Sequence, residues 1–348
     1  MKAVVLTANA AMEVQELPLP ALAAGHCRVR VANVGVCSSD IQRACGNGAY
    51  FYPLVMGHEL AGEIAEVGAG VKGFKTGDRV TVFPLLPCFT CGACACKAYA
   101  QCRDYSYYGS RAQGAYAECI DVKEWNLLHV PDGVSLADAA TCEPSAVVLH
   151  ALNRARLLET REPKKIAILG AGFLGLIMVQ ILHRKAPQHE VHLIDRNRFK
   201  LEIGAAYARH TEYVESEAAW QAYLKQCKGF DVVVEASGVA QTFAYAIAMT
   251  AHGGTTLWMG NITADLTLPK ALVSAVLRKE LSVLGTWNSD FPADWNAALK
   301  LMQEGLKPSA LVTHWITLAE VPDILTRLHR HKCGQAKFEM VKAMVGRG

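Results

Sequence analysis

The chain predicts a two-domain α/β protein in which a β-rich amino-terminal domain precedes a doubly wound parallel sheet of six strands. Three observations carry that prediction. At 348 residues, 51% of them hydrophobic, the chain exceeds one typical core and can bury two. From Met1 to about Pro131 the segments are short, Val-rich and separated by Gly/Pro turns, and beyond Lys165 strand-like and helix-like stretches alternate.

The first texture reads "CRVRVANVGV", "LAGEIAEVG", "DRVTVFP" and "AYAECIDV". The run "SLADAATCEPSAVVLHALNRARLL" then keeps helical spacing from Ser135 as N-cap, predicting a helix that bridges two domains. Six apolar runs follow: Lys165–Leu169, Val191–Asp195, Tyr213–Glu215, Asp231–Glu235, Thr255–Met259 and Leu281–Leu284. These boundaries place a first domain at 1–150, a second at 151–287, and a tail at 288–348 that returns to the first. The apolar run Ile166–Leu182 approaches the length of a membrane span but falls short of about 20 residues and is interrupted by glycines.

A net charge of +3 with dispersed Lys and Arg gives no support for a nucleic-acid or membrane partner. The amino terminus "MKAVVLTANAAMEVQEL" has neither a signal-peptide h-region nor transit-peptide composition, so a cytoplasmic location is expected. In that compartment the twelve cysteines read as metal ligands, reactive groups or buried apolar residues, not as a disulfide framework.

Cys88, Cys91, Cys94 and Cys102, spaced C-x2-C-x2-C-x7-C, can wrap one tetrahedral zinc from a single loop, with Cys96 left over. Four protein ligands and no open position make such a site structural. A long third interval and no following Cys-Pro disfavour an iron–sulfur cluster. Few nearby cations and no basic helix disfavour a nucleic-acid-binding ribbon.

Cys37 in "GVCSSD", His58 and Glu59 in "GHELAGEIAEVG", and Glu143 in "CEPSAV" supply a thiolate, an imidazole and carboxylates. Each alone is weak, and Glu143 by itself would serve as a helix-capping acid. Three such ligands plus an exchangeable position are what a catalytic zinc needs to polarise a substrate oxygen. Ser39 stands where it can relay the alcohol proton.

"KIAILGAGFLG" places Gly170, Gly172 and Gly175 as G-x-G-x-x-G after an apolar strand, with Phe173 and Leu174 opening the helix. This is a dinucleotide-binding turn: the glycines allow a tight turn, close approach of the pyrophosphate and close packing of the helix. Asp195 at the end of the next strand would accept bonds from the adenosine ribose and favour NAD; Arg196 and Arg198 beside it leave NADP open.

Together these motifs resemble the zinc-containing medium-chain alcohol dehydrogenases over the whole chain, and within them the polyol dehydrogenases, because Glu143 stands where many relatives have a second cysteine ligand. "NGAYFYP", "PLLPCFTC", "YGSR" and "LRKELSVLGTW" point to members acting on polyol phosphates. The resemblance implies a GroES-like catalytic domain and a Rossmann domain. It implies one catalytic zinc on Cys37, His58 and Glu143, with Glu59 able to approach it, and one structural zinc on the four-cysteine loop. It also implies hydride exchange between a polyol or polyol phosphate and NAD. Arg43 and Arg111 lie in segments that border the substrate cleft in the family and are candidate phosphate anchors. The apolar edge "LSVLGTW" implies a homodimer or homotetramer. Ser38 replaces the family's usual Gly, and Gln42 stands where many relatives carry the relay His. An NADP-dependent ketose-phosphate reductase, a sorbitol-type enzyme acting on free polyols, a zinc-free reductase of the same fold and a non-enzymatic zinc-binding protein remain as alternatives.

Overall fold

A computed structural model describes residues 1–346. The chain packs as two compact units, Met1–Ala146 together with the segment from Asp290 onward, and Val147–Ser289.

The first unit is built on an antiparallel core. Strand His26–Gly35 pairs with Glu59–Val67 and with Cys119–Lys123, and Arg79–Val82 and Leu127–His129 extend the sheet beyond Glu59–Val67. The carboxy-terminal strands His314–Ile316 and Ala343–Val345 complete it, the latter antiparallel to His26–Gly35. Val29, Val34, Leu60, Ile64, Val80 and Val82 fill its core together with Leu325 from the helix Val321–Lys332. Runs of buried Val and other apolar residues on these strands are what make the Val-rich segments legible as strands.

The second unit is a six-stranded sheet, every pair parallel, in the order His210–Tyr213, Glu190–Asp195, Lys165–Leu169, Phe230–Glu235, Thr250–Trp258, Ser282–Gly285. Counted along the chain this is 3-2-1-4-5-6, a doubly wound sheet. The strand Lys165–Leu169 is central and almost fully buried, as a strand covered on both faces must be. The following helix, Phe173–Lys185, is buried continuously from Gly175 to Leu182, which accounts for its apolar run. No helix among the described residues is long and apolar enough to cross a membrane.

Two local expectations need correction. The helix begun at Ser135 is not continuous: Leu136–Ala140 ends at Thr141 and a new helix runs Cys142–Arg154. Pro144 is the reason, since its missing N–H is tolerated in the first turn of a helix and costs a bond in the interior. The third strand of the sheet is His210–Tyr213, upstream of the expected Tyr213–Glu215. Ser216 caps the next helix by accepting from the Ala219 N–H at 3.2 Å, so the strand has to end before it.

Candidate active site and cofactor cradle

The four-cysteine loop brings its thiols together. Cys88 and Cys94 sulfurs are 3.9 Å apart, Cys91 and Cys94 3.6 Å, and Cys91 and Cys102 3.9 Å. A tetrahedron with zinc–sulfur bonds of about 2.3 Å has edges of about 3.8 Å, which these three separations match, and all four sulfurs lie within 4.8 Å of one another, so the donor set suits zinc. The Cys88 N–H donates to Cys102 Sγ at 3.3 Å and the Thr90 hydroxyl to Cys88 Sγ at 3.4 Å, contacts that suit sulfurs carrying negative charge. Cys96 is exposed and outside the group.

A second set gathers around the helix Ser38–Cys45. Cys37 is its N-cap, and its sulfur accepts from Ser39 N at 3.5 Å and Ser39 Oγ at 3.2 Å. Ligand atoms of Cys37, His58 and Glu59 all lie within 4.8 Å of one another. His58 is buried, and Glu59 is buried in an ion pair with Lys342. One sulfur, one imidazole and one carboxylate are the donors a zinc with an open position takes.

Glu143 stands outside that three-ligand group. Its Oε1 accepts from the Tyr107 hydroxyl at 3.1 Å, and the Tyr107 ring meets His58 edge-on at 5.7 Å. Burial raises the Glu143 carboxyl above its ordinary value and nearby Glu59 adds to this, while His58 opposes it. Glu143 therefore borders the same buried site by way of Tyr107.

Asp40 was not among the sequence-predicted residues. It is fully buried and accepts from the Cys37 N–H at 3.1 Å, the Tyr116 hydroxyl at 2.7 Å and Arg43 Nη1 at 3.1 Å, with its Oδ1 3.4 Å from His58 Nδ1. Burial would raise this carboxyl, but the charge and hydrogen bond of His58, with Arg43 and Tyr116, outweigh it and bring it down to about 2. Burial would likewise lower His58, and the charges of Asp40 and Cys37 outweigh it and hold the ring well above its ordinary value. The signal for Asp40 was a capping box, Cys37 with Asp40 three residues on, in which cysteine replaces the usual Ser or Thr. Lys342 and Tyr107 left no local signal.

The candidate substrate arginines are both engaged. Arg43 donates to Ser39 Oγ at 2.9 Å as well as to Asp40. Arg111 is clasped between the rings of Tyr50 and Tyr105, at 4.6 and 4.2 Å, and donates to Tyr105 O and the Tyr50 hydroxyl. Gln42 donates its amide to Gly46 O, so Arg43 is the side chain that touches Ser39.

In the second unit Gly170 adopts φ +114°, and a Cβ at Gly175 would collide with the Gly170 carbonyl. Around Gly172 a Cβ would meet nothing within 4 Å, and Gly172 is the N-cap of the helix Phe173–Lys185. This open helix terminus, flanked by Phe173 and Leu174, fits a pyrophosphate. Asp195 Oδ2 accepts from Ala171 N at 2.6 Å and Oδ1 from Asn197 N at 2.8 Å. The helix after it is capped by Asn197, leaving Asp195 as the acid of the cradle. Arg196 is exposed, and Arg198 stacks on Tyr213 at 3.7 Å.

Fold and sites define a zinc-binding dehydrogenase. The family models "Alcohol dehydrogenase GroES-like domain" and "Zinc-binding dehydrogenase" match residues 23–132 and 174–304. The chain belongs to the zinc-dependent alcohol and polyol dehydrogenases, oxidoreductases acting on CH–OH donors with a nicotinamide cofactor. It is 34% identical to galactitol 1-phosphate 5-dehydrogenase of Escherichia coli (strain K12), over 90% of this chain and 92% of that one. A crystal structure of galactitol-1-phosphate dehydrogenase from Escherichia coli covers 100% of both chains with a TM-score of 0.86 and 32% identity. D-altritol 5-dehydrogenase of Agrobacterium fabrum is 32% identical over 90% of this chain and 91% of its own. A zinc-binding dehydrogenase of Sinorhizobium meliloti 1021, bound to NADP, superposes with a TM-score of 0.88 at 25% identity, covering 99% of each chain. The family resemblance read from the sequence is borne out.

Proposed function

We propose that the protein oxidises a secondary hydroxyl of a polyol phosphate of the galactitol 1-phosphate class to the ketose phosphate with NAD, and catalyses the reverse reduction. The observation that carries this reading is the convergence of Cys37 with buried His58 and Glu59, with Glu143 bordering them. In this reading Cys37 and His58 hold the catalytic zinc together with one carboxylate at a time, Glu59 or Glu143, so that a position stays open for the substrate oxygen, and Cys88, Cys91, Cys94 and Cys102 hold a structural one. When bound, the zinc polarises the alcohol oxygen and the nicotinamide takes up hydride.

The chain's own residues supply the rest. Ser39 Oγ, after turning from Cys37 Sγ, accepts the alcohol proton as it releases its own to solvent, and Arg43 fixes the hydroxyl in reach. Asp40 orients His58 through Nδ1 and keeps the other ring nitrogen directed at the donor set. Gly170, Gly172 and Gly175 with the N-terminus of Phe173–Lys185 seat the pyrophosphate, and Asp195 faces the adenosine ribose. Arg111 is the cationic anchor for the phosphate, and Arg43 is taken up by Ser39 and Asp40.

Exposed Arg196 and the NADP-bound relative support a second reading with NADP, and D-altritol 5-dehydrogenase supports one with free polyols. Rates for matched polyols and polyol phosphates with each cofactor separate the three. A kcat/KM higher for polyol phosphates with NAD supports the proposal; a higher value for free polyols, or with NADP, replaces it with the corresponding alternative.

A further inference from the structure

The amino-terminal ends of two neighbouring strands in the second unit carry a cluster that the dehydrogenase chemistry does not use. Strands Glu190–Asp195 and His210–Tyr213 are parallel, with His192 opposite His210. Glu190 and His192, two apart on one strand, share a face. Glu190 Oε1 lies 2.8 Å from His192 Nε2 and 3.4 Å from His210 Nε2, and the two rings stack at 4.3 Å. One carboxylate oxygen thus sits between two imidazole nitrogens, and the ligand atoms of all three residues fall within 4.8 Å of one another.

His192 is held for this task. It is 8% exposed, the Phe230 ring meets it edge-on at 5.0 Å, and burial keeps its ring below its ordinary value, hence neutral at neutral pH. Its Nδ1 is buried with no hydrogen-bond partner and faces Glu212 Oε1 across 3.9 Å. A histidine that binds a metal through Nε2 carries its proton on Nδ1, and a carboxylate behind that nitrogen is the usual acceptor. His210 and Glu190 side chains are each 42% exposed, which leaves a path for an ion and room for water. Lys165 is the opposing charge nearby.

We propose that Glu190, His192 and His210 form a further metal site, taking a divalent ion of the Zn2+, Ni2+ and Cu2+ class, with Glu212 behind His192. Two imidazoles and a carboxylate select that class over Mg2+ or Ca2+, which demand oxygen donors. The ion would tie the edge strand His210–Tyr213 to its neighbour. Asp195 lies three residues beyond His192 and five beyond Glu190 on the same strand, on the order of 10 to 16 Å away, so the ion sits clear of the cofactor end.

The test is zinc titration of the full-length holoenzyme, dialysed against a weak chelator, with bound zinc and the thermal midpoint read for wild type, His210→Ala and Glu190→Gln. Wild type should bind one more Zn2+ per chain than either variant, with at least a tenfold affinity difference, and its midpoint should rise with zinc where theirs do not. Mg2+ should produce neither effect. Because the readout is a difference between chains that share every cysteine ligand, it does not depend on the catalytic assignment. Equal zinc uptake and equal midpoint shifts in wild type and the two variants would overturn the proposal.

Discussion

Asp40 Oδ1 lies 3.4 Å from Nδ1 of His58, both side chains buried, so a carboxylate with no direct place among the candidate zinc ligands governs how one of them is presented. Asp40→Asn should reduce zinc affinity at the Cys37 site and activity by about 10–100-fold, the usual effect of losing a carboxylate behind a histidine ligand. Zinc content measured beside kcat checks this, and an Asp40→Glu variant that recovers part of both argues for positioning.

The same carboxyl sets an acid limit on stability. Its folded value of about 2 lies below the ordinary carboxylate range, so its contribution is complete above about pH 4 and is lost as pH falls through 2. In the zinc-free protein, where His58 can carry its proton, the free-energy difference between wild type and Asp40→Asn should therefore shrink by on the order of 2 kcal/mol from pH 5 to pH 2, measured by denaturant unfolding.

The thiol tetrahedron predicts a folding role for its metal. Cys91→Ser should lower the zinc content by one ion per chain and produce aggregation or a much lower thermal midpoint, because binding at such a site is folding free energy. Replacing exposed Cys96, outside the tetrahedron, should change neither.

Asp195 joins the glycine turn to the next strand through Ala171 N and Asn197 N. Asp195→Ala should weaken NAD binding by about tenfold and narrow the preference over NADP, since a ribose acceptor and a charge that repels the 2′-phosphate go together. Cofactor titration by fluorescence checks both.

The two arginines should part company. Arg43 touches Ser39 and Asp40, so Arg43→Ala should lower kcat for every substrate, whereas Arg111→Ala should raise KM for a polyol phosphate about tenfold with little effect on the free polyol. Equal effects of Arg111→Ala on both substrates would remove it as an anchor.

What could be read from the sequence was what the sequence holds close together. Four cysteines within one loop, and three glycines after one strand, announce themselves because their partners are near neighbours. Lys342 meets Glu59 only because the carboxy-terminal strand Ala343–Val345 returns to pair with His26–Gly35, and no local pattern encodes that. Tyr107 reaches Glu143 and His58 from a two-residue strand too short to carry a periodicity. The misplaced third strand and the split helix have a common cause: apolar content drew the boundaries, while Ser216 and Pro144 fixed them through backbone hydrogen bonding.

The central claim is that Cys37 and His58, with Glu59 and Glu143 beside them, hold a zinc needed for chemistry, distinct from the zinc of the cysteine loop. Its most direct test is metal content and turnover of His58→Ala beside wild type, with NAD binding and thermal midpoint as controls for folding. The account predicts a folded, cofactor-binding variant that has lost one zinc and at least a thousandfold in kcat while keeping the cysteine-loop zinc. Turnover close to wild type in a variant lacking that zinc would contradict it.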